Sequence, residues 1–172
     1  YKATRHLIDL GYQRIAHITA DHPEPPPAKK RREGYQRALD EVGQSYNIAR
    51  GEKEPFAFEK KGGYHSMNTL LDQQPLPDAV FCSSDMLAIG ARQALEEAGY
   101  RTPQDVALVG FDDVDVNEYV GLTTIRQPLR DFGKFGIEKL LGRIDDPQRS
   151  VSSTVFAPEL VVRSTCGAEG NT

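Results

Sequence analysis

Polar residues that could hold a ligand follow two apolar stretches of the sequence. Residues 79–82 (AVFC) run directly into residues 83–85 (SSD), and residues 107–109 (ALV) are followed, after a glycine and a phenylalanine, by residues 112–113 (DD). Hydroxyls and carboxylates at these positions could form several hydrogen bonds to a polar ligand. The three carboxylates could alternatively hold Mg²⁺, which prefers oxygen ligands.

The two apolar stretches predict strands that are buried on both faces, because they lack the polar alternation of a half-exposed sheet. Residues 85–98 predict the helix between them, which is long enough for a right-handed crossover. We therefore predict an α/β fold with three layers, α/β/α, around a mainly parallel open sheet. Ligands bind such sheets at the carboxyl ends of the strands, where the polar residues lie.

A cluster of cations begins another predicted helix. Residues 29–32 (KKRR) follow a proline-rich stretch, residues 21–28, which predicts a loop. Cations in a first turn oppose the helix dipole. They could form a solvated charged turn, or one guanidinium could point at a ligand, since arginine presents two parallel donors.

Composition limits the possible functions. The 172 residues carry a net charge of −4, which argues against a domain that grips nucleic acid by itself. Cys82 and Cys166 cannot form a disulfide framework, which fits a reducing cytoplasm. No apolar run approaches a membrane span, and no export leader precedes the first helix. The chain opens on Tyr1 within a helical pattern, so we expect a piece of a longer protein.

Catalytic and metal-binding patterns are weak. His17 lies inside a predicted strand without a second histidine or cysteine at ligand spacing, so we interpret it as a hydrogen-bonded core residue and predict no metal site. The sequence has no phosphate-binding glycine loop and no acid doublet after the first strand paired with a lysine. We therefore predict neither an enzyme nor a bound cofactor.

The helix after Asp85 is apolar on two sides. Met86, Ile89 and Gly90 fall outside the stripe that should face the sheet, and Val116 and Tyr119 could join them. An apolar surface away from the core favours burial against a second subunit. We therefore predict a homodimer that uses this patch.

Six segments, in order, carry a resemblance to a known family. They are HLIDLGYQRIAHI, the R-x-x-G-Y-x-x-A-L pattern at Arg31 to Leu39, DAVFCSSDMLAIGA, DVALVGFDD, LTTIRQP and PELVVRS. Together they resemble the effector-binding core of the lactose-repressor (LacI/GalR) family of bacterial transcription regulators. The resemblance implies two α/β lobes around a ligand cleft, as in periplasmic sugar-binding proteins, and an amino-terminal helix-turn-helix that this sequence lacks.

The resemblance also implies a division of the chain. Residues 1–125 would form the carboxyl-terminal lobe, and residues 126–150 a crossover with a helix of the truncated amino-terminal lobe. Residues 151–165 would return to the first lobe, and residues 166–172 would be a disordered tail. The helix at 129–143 would then have lost its sheet, so we expect its apolar face to be exposed.

Site residues follow from the resemblance one by one. The effector-binding set that it implies is Arg31, Phe58, Ser84, Asp112 and Leu129, with Arg37 as a weaker candidate for the pocket wall. Ser84 stands where many relatives have asparagine, and Leu129 where some have an aromatic residue. Ser84 could instead cap a helix, Asp112 could form a turn, and Phe58 could pack in the core. A guanidinium, a carboxylate and an aromatic face suit a polyhydroxylated ring or a purine.

These expectations combine into one functional hypothesis. The chain would be the effector-sensing and dimerisation fragment of a cytoplasmic transcriptional repressor that responds to a sugar or nucleoside-like ligand. DNA would be bound only through the missing domain, and no membrane would be involved. The competing hypothesis is a periplasmic sugar-binding protein of a transport system.

Overall fold

Strands and helices alternate along most of the chain. The computed structural model describes residues 1–19, 25–50 and 60–168. The strands are β1 Ile15–Thr19, β2 Asn47–Arg50, β3 Ala79–Cys82, β4 Ala107–Val109, β5 Thr124–Arg126 and β6 Glu159–Val161. The helices are α1 Lys2–Asp9, α2 Pro26–Asp40, α3 Lys60–Leu71, α4 Asp85–Glu97, α5 Val116–Val120 and α6 Leu129–Asp145, and a 3₁₀ turn spans Ser164–Cys166.

The central sheet is parallel, as predicted. Its strands lie in the order β2-β1-β3-β4, so β1 and β3 are interior strands. Strands β5 and β6 pair antiparallel beside it. Parallel bridges from Val109 to Thr123 and from Asp112 to Arg126 join β5 to the end of β4. The carboxyl ends of β1, β3 and β4 therefore meet at one edge.

Both faces of the sheet are covered, which confirms the three-layer prediction. Val80 packs with α3 and α4, whereas its neighbour Phe81 packs with α1 and α2. Successive strand residues point to opposite faces, so an unbroken apolar run fills two cores at once. All four residues of β3 are buried. None of the helices within the described residues combines the length and apolar character needed to span a bilayer.

Helix α2 begins earlier than predicted. Pro26 and Pro27 occupy its first turn, where a missing N–H costs nothing and the fixed φ suits the helix. The prediction that residues 21–28 are all loop is therefore wrong from Pro26 onwards; residues 21–24 lie outside the described ranges. Lys29 is therefore the fourth residue of the helix, and the cations at 29–32 begin where its first turn ends, farther from the positive end of the dipole than predicted.

The carboxyl-terminal tail differs from the prediction. Before it, Val155 and Phe156 form no strand within the returning segment 151–165, and Val155 is almost fully exposed. The tail is not disordered from residue 166, because Cys166 is buried, with its Sγ 3.3 Å from His6 Nε2. Tyr12 also donates to the Cys166 carbonyl at 3.1 Å, which fastens this turn to α1 and the loop after it.

Helix α6 exposes its apolar side chains, as expected. None of its residues is buried, although Phe132 and Phe135 contact Phe156 edge to face. Leu140 and Ile144 are more than half exposed. An apolar helix face without cover is typical of a surface that another part of a protein occupies.

Helices α3 and α4 pack at unusually close range through two glycines. A Cβ on Gly63 would overlap the carbonyl oxygen of Leu87, and one on Gly90 would overlap that of Lys60. Because the obstacle is backbone, it cannot rotate away. Gly90 is therefore buried inside the chain, and its prediction as part of a dimer interface is wrong in placing it on a free surface.

We expect Gly63→Ala and Gly90→Ala each to lower the free energy of unfolding by about 3 kcal/mol, because the two helices must separate. Gly133→Ala is the matched control, since its Cβ in α6 would meet no atom within 4 Å. That exchange should stabilise the protein by about 0.5–1 kcal/mol through helix propensity. Urea unfolding followed by circular dichroism measures all three. Equal effects at the three positions would contradict the close packing.

Candidate ligand-binding site

The candidate site lies where α2 meets the carboxyl edge of the sheet. Arg31 Nη2, from α2, lies 3.5 Å from Asp112 Oδ1, from the turn after β4. The arginine side chain is only 16% exposed, so the pair is partly withdrawn from water. The two residues on which the predicted site depends are thus brought together.

The guanidinium of Arg31 is held by two further contacts. Its Nη1 donates to the Ser83 carbonyl at 2.6 Å, and its Cζ lies 3.8 Å from the ring centroid of Phe111. Burial lowers the pKa of Arg31, an effect that Asp112 and Asp85 oppose. Arginine stays charged in proteins nonetheless, so the site keeps a fixed cation.

Asp112 also accepts a hydrogen bond from the opposite side. Gln127 Nε2 donates to its Oδ1 at 2.8 Å. Burial raises the pKa of Asp112 and the nearby Asp85 adds to the rise, whereas Arg31 and Gln127 oppose it. The Asp112 backbone N–H donates to the Ile125 carbonyl at 2.9 Å, so Asp112 also forms the turn that joins β4 to β5.

The second acid of the doublet has different partners. Asp113 accepts hydrogen bonds from Arg126 Nε at 2.6 Å and pairs with Arg163 Nη2 at 2.8 Å. Burial alone would raise the pKa of Asp113, but the two arginines hold it below its ordinary value. Asp113 therefore joins the site turn to the segments around β5 and β6.

Ser84 caps α4, the alternative that the sequence left open. Its Oγ accepts a hydrogen bond from the Leu87 N–H at 3.2 Å, and its side chain is buried. The adjacent Asp85 is fully buried and accepts from Thr124 Oγ1 at 2.6 Å and Val114 N–H at 3.0 Å. A ligand contact by Ser84 stays a prediction. Within the described ranges, no cluster of three or more His, Cys, Asp or Glu residues could hold a metal ion.

Two open depressions flank the Arg31–Asp112 pair. One, of about 500 Å³, is lined by Arg31, Phe111 and Gln127. The other, of about 510 Å³, is lined by Asp112, Gln127 and Leu129, whose side chain is 60% exposed. Gln127 borders both. The site thus offers a cation, a carboxylate and an amide beside apolar walls, which suits a small hydrogen-bonding ligand.

Arg37 lies apart from this group. Arg37 is 68% exposed, lies 3.5 Å from Glu41 and stacks over the Tyr1 ring at 4.2 Å. It lines neither depression, so its prediction as a pocket-wall residue is wrong. Phe58 lies outside the described residues.

Sequence reasoning missed two residues that border the site. Phe111 sits one position before the acid doublet, and Gln127 lies one position before Pro128. A polar side chain at the end of a third strand is the signal that could have identified Gln127. Phe111 had no comparable signal, because a phenylalanine after a buried strand usually packs in the core.

The predicted dimer patch is largely exposed. Met86 and Val116 are each 41% exposed and Tyr119 is 88% exposed, whereas Ile89 is partly buried against the core. Without Gly90, the patch is smaller than predicted. It still presents the side chains of Met86, Val116 and Tyr119 to solvent.

Comparisons with known proteins agree on one family. The "Periplasmic binding protein-like domain" profile matches residues 4–166. The chain is 38% identical over 167 residues to the ribose operon repressor of Haemophilus influenzae, covering 96% of this chain and 49% of that repressor. It thus spans about half the length of the curated relatives it matches.

Solved structures give the same result. A LacI family transcriptional regulator from Enterococcus faecium with bound ribose has a TM-score of 0.86 at 32% identity, covering 96% of this chain and 60% of that one. A lac repressor dimer bound to operator has a TM-score of 0.83 at 27% identity, covering 97% of this chain and 51% of that one.

We expect Asp113→Asn to lower the free energy of unfolding by about 2 kcal/mol at pH 7, because two arginines lose their charged acceptor. The folded pKa of Asp113 is lowered, so its contribution is complete above the ordinary carboxyl value of 3.8 and is lost as the pH falls through the folded pKa. The difference from the parent should therefore shrink in acid. The exposed Asp115→Asn is the charge-matched control. Urea titrations from pH 7 to pH 3 measure this, and a pH-independent difference would contradict the pairing.

Proposed function

Because the chain belongs to the lactose-repressor (LacI/GalR) family, with its periplasmic-binding-protein-like fold, we propose that it is the effector-sensing part of a DNA-binding transcriptional repressor. The observation that carries this proposal is the Arg31–Asp112 pair at the carboxyl edge of a parallel sheet. That edge is where open α/β sheets hold their ligands. The similarity to repressors along nearly the whole chain supports the same conclusion.

The ligand is a small, neutral, polyhydroxylated molecule, a sugar or a nucleoside. Arg31 and Asp112 have opposite charges that offset each other, so this pair carries no net charge of its own. A carboxylate accepts from several hydroxyls and a guanidinium donates to them, which matches vicinal hydroxyl groups. The ribose named for two similar proteins supports a sugar. Ser84 and Leu129 are the further contacts in this proposal.

Effector binding changes the relative orientation of two lobes. Residues 1–125 and 151–165 belong to the lobe described above, and residues 126–150 belong to a second lobe. A ligand held between them favours one orientation by its differential affinity for the two states. The exposed face of α6 supports this division, because an apolar helix needs a partner surface.

The protein acts as a homodimer in the cytoplasm and contacts DNA only through a region that this chain does not contain. Met86, Val116 and Tyr119 form the exposed centre of the dimer patch, with Ile89 at its base. Paired DNA-reading heads need a two-fold assembly to match two half-sites. The structurally similar lac repressor dimer bound to operator supports this assembly.

The second candidate is a periplasmic sugar-binding protein of a transport system, which the description of the matching profile favours. Both functions would use the same site. A helix-turn-helix encoded upstream of this chain supports the repressor, and an export signal there supports the transport protein.

We expect Arg31→Ala and Asp112→Asn each to weaken sugar or nucleoside binding about 10- to 100-fold, since each removes hydrogen bonds to a charged group. Isothermal titration calorimetry of the full-length protein against D-ribose, cellobiose and adenosine measures this. Arg37→Ala is the matched control, because it removes an exposed guanidinium of the same helix and should change affinity less than about twofold. Undiminished affinity in both site variants would refute the site.

We expect Tyr119→Asp combined with Met86→Asp to convert a dimer into a monomer at tens of micromolar, because buried unpaired charges oppose association. Sedimentation velocity measures the mass. Val155→Asp is the control, since Val155 is an exposed apolar residue outside the patch. A parent protein that sediments only as a monomer would contradict the dimer.

A further inference from the structure

A buried histidine lies behind the candidate site and is not part of it. His17 is in the middle of β1, an interior strand, and its side chain is fully buried. Burial lowers the pKa of His17 to about 3, so the ring is neutral at physiological pH. A neutral imidazole has one donor nitrogen and one acceptor nitrogen.

Both ring nitrogens have partners. Nδ1 lies 2.9 Å from the Phe81 carbonyl, which can only accept, so Nδ1 carries the proton. Nε2 is then the acceptor, and the Ser83 hydroxyl, 3.3 Å away, donates to it. The tautomer is thus fixed by the two partners.

The imidazole ring is also held by stacking. Its centroid lies 5.1 Å from that of Tyr35 and 4.8 Å from that of Phe81, with nearly parallel planes. Tyr35 is itself fixed, because its hydroxyl donates to the Ile15 carbonyl at 2.7 Å. His17 therefore offers Ser83 an acceptor that cannot move.

Ser83 uses its backbone and side-chain polar groups to join the core to the site. Its N–H donates to the Ile18 carbonyl at 2.8 Å, and its hydroxyl donates to His17 Nε2. Its own carbonyl accepts from Arg31 Nη1 at 2.6 Å. That carbonyl fixes the position of the guanidinium together with Asp112 and the Phe111 ring. A rotation of the Ser83 peptide group would take this acceptor away from Arg31 Nη1.

We propose that His17 is a positioning residue that holds the Arg31 guanidinium in its ligand-binding orientation through Ser83. The expected effect of His17 on ligand affinity rests on the proposed function. The geometry itself does not depend on any ligand. Residues that hold the ligand-contacting side chains, without touching the ligand themselves, help to preorganise a site.

Two variants cut the same link from opposite sides. Ser83→Ala removes the hydroxyl and keeps the carbonyl, and His17→Asn keeps a donor near the Nδ1 position while losing the Nε2 acceptor. We expect each to weaken D-ribose binding about tenfold. The double variant should lose no more than either single one, because one link is removed in all three.

The matched control is Ser66→Ala. Ser66 is a buried serine in α3 whose hydroxyl has no hydrogen-bond partner among the described residues, and it packs on the other side of the sheet from Arg31. It should leave the affinity unchanged. Lower thermal stability with unchanged affinity in Ser83→Ala and His17→Asn would show a purely structural role and overturn the proposal.

A second measurement needs no ligand. The Nε–H signal of Arg31 in ¹⁵N–¹H NMR spectra reports the guanidinium's position over the Phe111 ring. We expect the signal to move towards that of an exposed arginine in Ser83→Ala and His17→Asn and to stay in place in Ser66→Ala. An unmoved signal in both site variants overturns the inference.

The two proposals fail in distinguishable ways. If D-ribose, cellobiose and adenosine all fail to bind the parent protein, the proposed ligand class is wrong, and the Arg31 signal still decides the role of His17. If His17→Asn does not fold, Ser83→Ala alone decides it, since that exchange removes one oxygen atom without adding volume.

Discussion

The parallel pairing of β1, β3 and β4 is the constraint on which the site depends. Because these strands run in one direction, their last residues meet at one edge, and residues distant in sequence become neighbours there. The Ser83 carbonyl at the end of β3 then meets Arg31 from α2, and the turn after β4 brings Asp112. An antiparallel arrangement would send these groups to opposite ends of the molecule.

The acid doublet illustrates how a fold sustains an unfavourable backbone. Asp112 and Asp113 both have positive φ, at 119° and 60°, a region that non-glycine residues occupy at a cost of about 1–3 kcal/mol each. The surrounding contacts offset that cost, because Asp112 binds Arg31 and Gln127 while Asp113 binds two arginines. The strained turn directs the two adjacent carboxylates to different partners: Asp112 contacts Arg31 and Gln127 at the proposed ligand site, and Asp113 contacts the arginines beside the neighbouring strands.

The sequence predicted the features that depend on local pattern. The unbroken apolar runs identified the parallel strands, and the Ser84 cap was already an alternative.

Features that depend on distant contacts were harder to predict. Arg37 was misplaced because six residues carry a helix about 120° round and about 9 Å along its axis from Arg31. Gln127 was overlooked because its partner, Asp112, is reached only through the bridge between β4 and β5. Pro26 was misjudged because proline is excluded from helix interiors but not from a first turn.

The two arginines that contact Asp113 join the two connections through which the chain leaves and re-enters the described lobe. Arg126 ends the strand from which the chain leaves for α6, and Arg163 lies just after the strand on which it returns. One carboxylate therefore clamps the outgoing and incoming connections together at a single point. If residues 127–158 moved as one unit, they would rotate about the contacts of Asp113 with these two arginines. Asp112 is the next residue in the chain, so such a rotation would also displace its carboxylate.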